Sequence, residues 1–225
     1  VWMYNPQVLM HYREPSRYPI ESKTNIPDFL TLCNLSVSNS LDHQKYNLIV
    51  ITDDTLSSYL PEFPIDVTKR FRYSVKQIGD LMGALLLYKY GGLWLSPGTV
   101  FLQRDYYGLY NELVENDIVT FGSINPSHTH GEKHPDIRII YSKPNLPVMK
   151  NYINRLTGIM VGRLDALHKH VGFEFNPLGE SIQLYSLKRR HYSSMRVGTM
   201  NVHGRKLQLD DYLGKTSIEF DSKLL

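Results

Sequence analysis

The stretch from Gln77 to Phe101 constrains the fold more than any other part of the chain. Ile78, Leu81, Met82, Leu85 and Tyr88 or Lys89 recur at three- and four-residue steps, which predicts a helix from Ser74 to Tyr90 with an apolar stripe. Gly91-Gly92 ends it, because glycine adopts the left-handed backbone of a helix terminus without a Cβ clash. Leu93-Trp94-Leu95 then reads as a strand, broken at Ser96-Pro97-Gly98 and followed by a second apolar piece from Thr99 to Leu102. A helix turned into a strand by two glycines is the repeating joint of an α/β protein.

The rest of the chain fits that pattern. Val1 to Tyr4 reads as an opening strand ended by Asn5-Pro6. Pro27 starts a helix with apolar residues Phe29, Leu30, Leu32, Cys33, Leu35 and Val37 on one buried face. Tyr46 to Thr52 is β-branched and apolar, a strand buried on both faces. Ile65 and Val67 extend a short strand. Tyr106 to Glu115 and Leu146 to Arg163 read as helices, and Asp117 to Phe121 and Ile137 to Tyr141 as strands. A polar loop from Gly122 to Pro135 separates those two strands. Val197 to Val202 and Lys206 to Leu209 flank a hairpin turn at His203-Gly204. Alternating strands and helices predict a layered α/β fold with a mixed, mostly parallel central sheet flanked by helices. Ligands of such sheets sit outside the C-terminal strand ends, here Tyr4-Asn5, Asp53-Asp54 and Ser96-Pro97-Gly98.

Composition narrows the function classes. With 42% hydrophobic and 21% charged residues over 225 positions, the chain carries enough apolar surface for a sizeable core, which excludes a disordered tail. No apolar run approaches the roughly 20 residues of a membrane span. The single cysteine, Cys33, excludes an intrachain disulfide and suits a reducing compartment such as the cytoplasm. Val1 in first position leaves room for a removed anchor or signal. A net charge of +3, from 25 basic and 22 acidic residues, is far below a nucleic-acid binder's excess. The basic run Lys188-Arg189-Arg190 therefore reads as a solvated face. Sixteen tyrosines are the compositional oddity.

Asp80 is the one acidic residue on the apolar helix, and it can meet the Ser96-Pro97-Gly98 corner at the mouth of the sheet. A carboxylate there can accept hydrogen bonds from ribose hydroxyls. The stretch resembles the GT-A glycosyltransferases with an Asp-x-Asp sugar-binding motif. It is most similar to the capsular polysaccharide synthesis and mannosyltransferase-like families and related proteins of large DNA viruses. Asp80 matches their helical aspartate; Leu85, Leu86, Tyr90, Gly91, Gly92 and Leu93-Trp94-Leu95 match the helix end and strand. The resemblance implies a GT-A-like domain over residues 1–225 that moves a sugar from a nucleotide-diphosphate donor to a glycan, glycoprotein or other hydroxyl acceptor. It implies a ribose contact for Asp80 and a diphosphate contact for the corner, with Tyr4 and Asp53 lining the nucleotide pocket from neighbouring strand ends.

Two departures qualify it. Gly83 stands where the family carries arginine, and Ser96-Pro97-Gly98 stands where it carries Asp-x-Asp. Manganese or magnesium wants carboxylate oxygens, and neither is left. Three readings follow. Transfer can be metal-independent, with cations such as Arg70, Arg72, Lys76 or Arg104 neutralising the diphosphate. The chain can be a catalytically inactive relative that binds nucleotide or glycan or partners an active transferase. Or the corner is a plain turn.

Other motifs carry less. Asp53-Asp54 reads as a nucleotide contact or as a helix cap by Asp54 with a solvated neighbour. His128-Thr-His-Gly-Glu-Lys-His134 has zinc-like spacing, but with no cysteine nearby it reads as a polar surface loop. Asp136, before the next strand, reads as an acceptor-side base or a turn residue. Glu180, in the turn-rich Glu174-Phe-Asn-Pro-Leu-Gly-Glu180, is a second base candidate. Tyr4 can stack its ring on a base, and Tyr106, Tyr107 and Tyr110 can pack on sugar faces.

Overall fold

The computed structural model describes residues 1–5, 28–64, 75–101, 109–124, 133–160, 177–193 and 205. Its elements are β1 (Trp2–Tyr4), α1 (Asp28–Ser40), β2 (Ile49–Ile51), α2 (Leu56–Tyr59), α3 (Val75–Tyr90) and β3 (Gly92–Leu95). Then come α4 (Leu109–Glu115), β4 (Ile118–Ile124), β5 (Lys133–Ser142), α5 (Pro147–Met160), α6 (Pro177–Gln183) and β6 (Arg189–Ser193).

The strands form one six-stranded sheet in the order β2-β1-β3-β5-β4-β6. Only β5 runs against the rest, since β1 pairs in parallel with β2 and β3, β4 pairs in parallel with β6, and β5 is antiparallel to both neighbours. The expected mixed, mostly parallel α/β sheet is what forms, and it is consistent with a GT-A-like fold.

Side-chain alternation splits the core between two faces. Trp2, Tyr4, Ile51, Trp94, Ile118 and Ile140 point to the side carrying α3, α5 and α6. Met3, Leu93, Leu95 and Val119 point to the other, against Val37 and Leu41 at the end of α1 and Leu113 of α4. α3 is buried nearly all round: Ile78, Leu81, Met82, Ala84, Leu86 and Leu87 all lie in the core. It packs on α5 and over β1, β3 and β5. Each such leucine or methionine contributes roughly 1.5–3 kcal/mol by leaving water. The stripe expected from its periodicity is therefore part of a wider buried surface.

The glycine joint forms as anticipated. Gly91 (φ 69°) and Gly92 (φ 103°) both have left-handed backbones. A Cβ on Gly91 would fall 2.6 Å from Cδ of Pro144. The indole N–H of Trp2 donates to the Gly91 carbonyl at 2.8 Å, tying β1 to the joint.

Several expectations are corrected. β2 is an edge strand, and Val50 is 38% exposed while Ile51 is buried, so the run is not covered on both faces. On α1, Leu30, Cys33 and Val37 are buried but Leu32 and Leu35 are exposed, because only the first three share a face. Asp54 does not cap α2. The Thr52 N–H donates to Thr55 Oγ1 at 2.9 Å and the Leu56 N–H to the Thr52 carbonyl, which closes that turn without it.

β4 and β5 pair as far as Ile124 opposite Lys133, so both ends of the expected loop belong to the ladder, and Asp136 lies inside a strand. Glu180 sits on α6 rather than in a turn, and the basic run enters β6. Thr99 to Phe101 forms no strand. Ile65, Val67, Tyr106, Tyr107, most of the histidine loop, Glu174 and the hairpin after Val197 lie outside the described residues, as do Arg70, Arg72 and Arg104.

Candidate functional site

The parallel strands β1, β2 and β3 end side by side. Tyr4 is level with Ile51, and Met3 with Leu95, so Tyr4-Asn5, Thr52-Asp53 and Ser96 emerge on one edge. The Asn5 N–H donates to the Ile51 carbonyl at 2.8 Å, holding that edge together. The Tyr4 hydroxyl donates to Asp53 Oδ1 at 2.5 Å. The two residues expected at a nucleotide pocket are thus brought together, but Tyr4 is only 1% exposed. Its ring is packed in the core and offers no free face for a base; it reaches the edge through its hydroxyl. Asn5 Oδ1 is buried and has no hydrogen-bond partner among the described residues. An acceptor left this way costs about 1–3 kcal/mol, a cost that a ligand N–H or O–H would remove.

The corner after β3 is a tight turn. The Thr99 N–H donates to the Ser96 carbonyl at 3.0 Å, and the two hydroxyls lie 3.5 Å apart. The Ser96 N–H donates to the Arg138 carbonyl at 2.8 Å, so β5 holds the corner in place. Among the described residues nothing lies within 4 Å of a Cβ built on Gly98.

β5 has a large irregularity beside this corner. Thr120 lies opposite Ile140, but the next residue, Phe121, lies opposite Asp136. The slip frees Ile137 to Ile139 from β4 while Ile139 still pairs with Leu95 of β3. Such bulges re-aim side chains. Here Asp136 folds back on Arg138: its Oδ1 accepts the Arg138 backbone N–H at 2.9 Å, and its Oδ2 accepts the Nε–H at 2.7 Å and pairs with Nη2.

Asp80 lies on α3. It is 8% exposed, a rare degree of burial for a carboxylate. The hydrogen bond to Asp136 pushes the Arg138 guanidinium above its usual range against the effect of burial, with the charges of Asp136 and then Asp80 adding to the rise. Tyr152 of α5 lies beside both acids. Burial pushes its hydroxyl well above the usual phenol range, and Asp80 and Asp136 push it further. Asp80 and Asp136 thus act electrostatically on both Arg138 and Tyr152, and Arg138 is tied to Ser96 through its backbone carbonyl.

Glu180 is held elsewhere. It ion-pairs with Arg155 of α5, whose Nε–H donates to Asn151 Oδ1 at 2.9 Å. Asp54 is exposed at the surface beside Asp53. The sequence reading passed over Arg138 and Tyr152. For Arg138 the sequence offers only a weak mark, a charge two residues after Asp136 and beside the isoleucines of the strand.

The corner does not fit the divalent metal of an Asp-x-Asp site. Ser96-Pro97-Gly98 contains no carboxylate, and Asp136 is engaged by a guanidinium. Among the described residues, no group of three or more histidine, cysteine or acidic side chains is arranged to hold a metal.

Parallel strands ending together on a polar edge make this an α/β protein of the class whose ligands characteristically sit outside the strand ends. Within that class the chain belongs to the capsular polysaccharide synthesis protein family, whose model matches residues 23–157. The match spans α1 to most of α5, and so includes Asp80, the corner and the Asp136–Arg138 bulge. Membership indicates a glycosyltransferase-like role with glycan-related substrates. No curated protein and no solved structure matches the chain. Among the described residues no helix is long and apolar enough to cross a membrane.

Proposed function

We propose that this chain is a glycosyltransferase, a single GT-A-like domain that binds a nucleotide-diphosphate sugar at the C-terminal edge of β1, β2 and β3. It passes the sugar to a hydroxyl of a glycan, glycoprotein or other acceptor. The observation that carries the reading is Asp80: a nearly buried carboxylate on α3, electrostatically coupled to Arg138, whose carbonyl fixes the Ser96 corner. Asp80 accepts hydrogen bonds from the ribose hydroxyls. Asn5 Oδ1 and Asp53 line the nucleoside side, Asp53 oriented by Tyr4. The Ser96-Pro97-Gly98 turn lies along the diphosphate. In transfer, the bond from the sugar's anomeric carbon to the diphosphate oxygen breaks and the nucleoside diphosphate leaves with the electron pair. The acceptor oxygen bonds to that carbon, and its proton passes to a carboxylate, for which Asp136 is the candidate. Glu180, paired with Arg155, is the weaker one.

The missing corner carboxylates favour a second reading, a non-catalytic binder of nucleotide or glycan. Calorimetric titration with a panel of nucleotide sugars, followed by assay for released nucleoside diphosphate, separates the two. The expected result is binding that weakens about 10- to 100-fold in Asp80→Ala, the scale of lost hydrogen bonds to a charged group, together with slow donor hydrolysis. Binding without turnover against any acceptor favours the binder. No binding to any donor removes both.

A further inference from the structure

We propose that Arg138 is the cation of the diphosphate corner, standing where the family's metal would be and serving a chain that has also lost its helical arginine. This rests on the nucleotide-sugar reading above and names the group that neutralises the donor's leaving diphosphate.

Placement comes first. Arg138 is joined to the corner through its own backbone, since its carbonyl accepts the Ser96 N–H at 2.8 Å. Ile140 packs on the α3 face and Ile139 on the other, so Arg138, next in the alternation, projects to the α3 side, where a ribose held by Asp80 would present its phosphates. The bulge that frees Ile137 to Ile139 from β4 puts the residue there.

Availability follows from donor arithmetic. A guanidinium carries five N–H groups in a planar fork. Asp136 Oδ2 engages the Nε and Nη2 edge. Among the described residues no acceptor takes the Nη1 edge or the second Nη2 hydrogen, and the side chain is 62% exposed. Asp136 orients the fork without consuming it, and an arginine fork fits phosphate oxygens two at a time.

The two departures in sequence then make one pattern. At position 83 the helical cation cannot be kept, because a Cβ there would fall 2.6 Å from Cε2 of the buried Trp94 ring. At the corner the carboxylates are gone, and with them the reason for a metal. A permanent cation on the neighbouring strand serves both losses. Were a divalent metal bound at this point, Arg138 would repel it.

The test measures binding of the diphosphates and matching monophosphates of uridine, guanosine, cytidine, adenosine and thymidine, each in EDTA and in manganese. Wild type, Arg138→Gln, Arg138→Lys and Asp136→Asn are compared. The expected result is a preference for one nucleoside's diphosphate over its monophosphate that is the same in EDTA and manganese. Arg138→Gln loses that preference, weakening the diphosphate by about 10- to 100-fold while leaving the monophosphate unchanged. Arg138→Lys keeps part of it. Asp136→Asn keeps an oxygen to orient the fork but removes a negative charge beside the diphosphate, and tightens diphosphate binding by about two- to five-fold. A residue that merely braced the bulge would weaken both ligands in both the Arg138→Gln and Asp136→Asn variants, and that result overturns the proposal. So does a diphosphate preference that requires manganese, or one that survives Arg138→Gln. These leave the nucleotide-sugar reading standing; failure of every nucleotide to bind removes both.

Discussion

Gly83 and Trp94 explain each other. The Trp94 indole lies flat enough on α3 that a Cβ on Gly83 would sit 2.6–2.7 Å from Cε2, Cδ2 and Nε1. Trp94 is 1% exposed and has nowhere to retreat. Glycine in a helix costs up to about 1 kcal/mol relative to alanine, so Gly83→Ala would normally stabilise. Here overpacking of about 1–3 kcal/mol exceeds that gain. Gly83→Ala is expected to lower the urea midpoint, and Trp94→Leu to cost less in the Gly83→Ala background than in wild type. Additive losses in the double-mutant cycle would refute the contact. The same reasoning separates the two departures from the family pattern. Arginine at 83 is sterically excluded, whereas nothing described lies within 4 Å of a Cβ on Gly98. Among the described residues, crowding does not account for the lack of carboxylates at this corner.

At the far edge of the sheet, three strands meet on one side chain. Asp117, just before β4, accepts from Lys143 Nζ at 3.0 Å after β5, and from the Lys188 backbone N–H at 3.0 Å before β6. The Lys143 hydrogen bond, then the one from Lys188, hold its carboxyl below the usual range. A carboxylate depressed in the folded state stabilises fully above its unfolded value of about 3.9 and loses that contribution as pH falls through the folded value. Asp117→Asn is therefore expected to cost about 1 kcal/mol at neutral pH, and the gap to wild type should close as pH drops below about 4. Urea midpoints at neutral and acid pH check this; a gap independent of pH would show that the charge is idle. This staple also marks where sequence legibility stops. α3, the Gly91-Gly92 joint and β3 were readable because a 3.6-residue period, two glycines and a short apolar run coincide. β6 was not, because Lys188-Arg189-Arg190 looks like a solvated face, and its strand character comes from pairing with β4 and from Asp117. The β5 bulge was equally hidden. Its residues alternate normally, and only the register against β4 shows that Ile137 to Ile139 are released from that strand.

The whole sheet separates these two features. Because five strands share one direction and β5 alone opposes them, the ends of β1, β2 and β3 collect on one edge with the middle of β5. The starts of β4 and β6 and the end of β5 collect on the opposite one. Sequence order predicted the α/β layers but not this division, since strand order depends on crossovers that leave no local mark. Asp80 and the Ser96 corner were legible as separate features; Arg138 and Tyr152, which arrive from β5 and α5, were not. The division supplies an internal control for ligand placement. Hydrogen exchange with a bound nucleoside diphosphate is expected to slow at residues 4–5, 51–54, 78–82, 95–99 and 136–138. It should leave 117–120, 141–145 and 188–190 unchanged, since the rigid α3 layer separates local ordering at one edge from the other. Protection centred on the Asp117 edge would place the ligand at the wrong end of the strands and remove the case for Asp80 and the Ser96 corner together. Protection at 95–99 and 136–138 without 4–5 and 51–54 would keep the diphosphate corner but move the nucleoside away from Tyr4, Asn5 and Asp53.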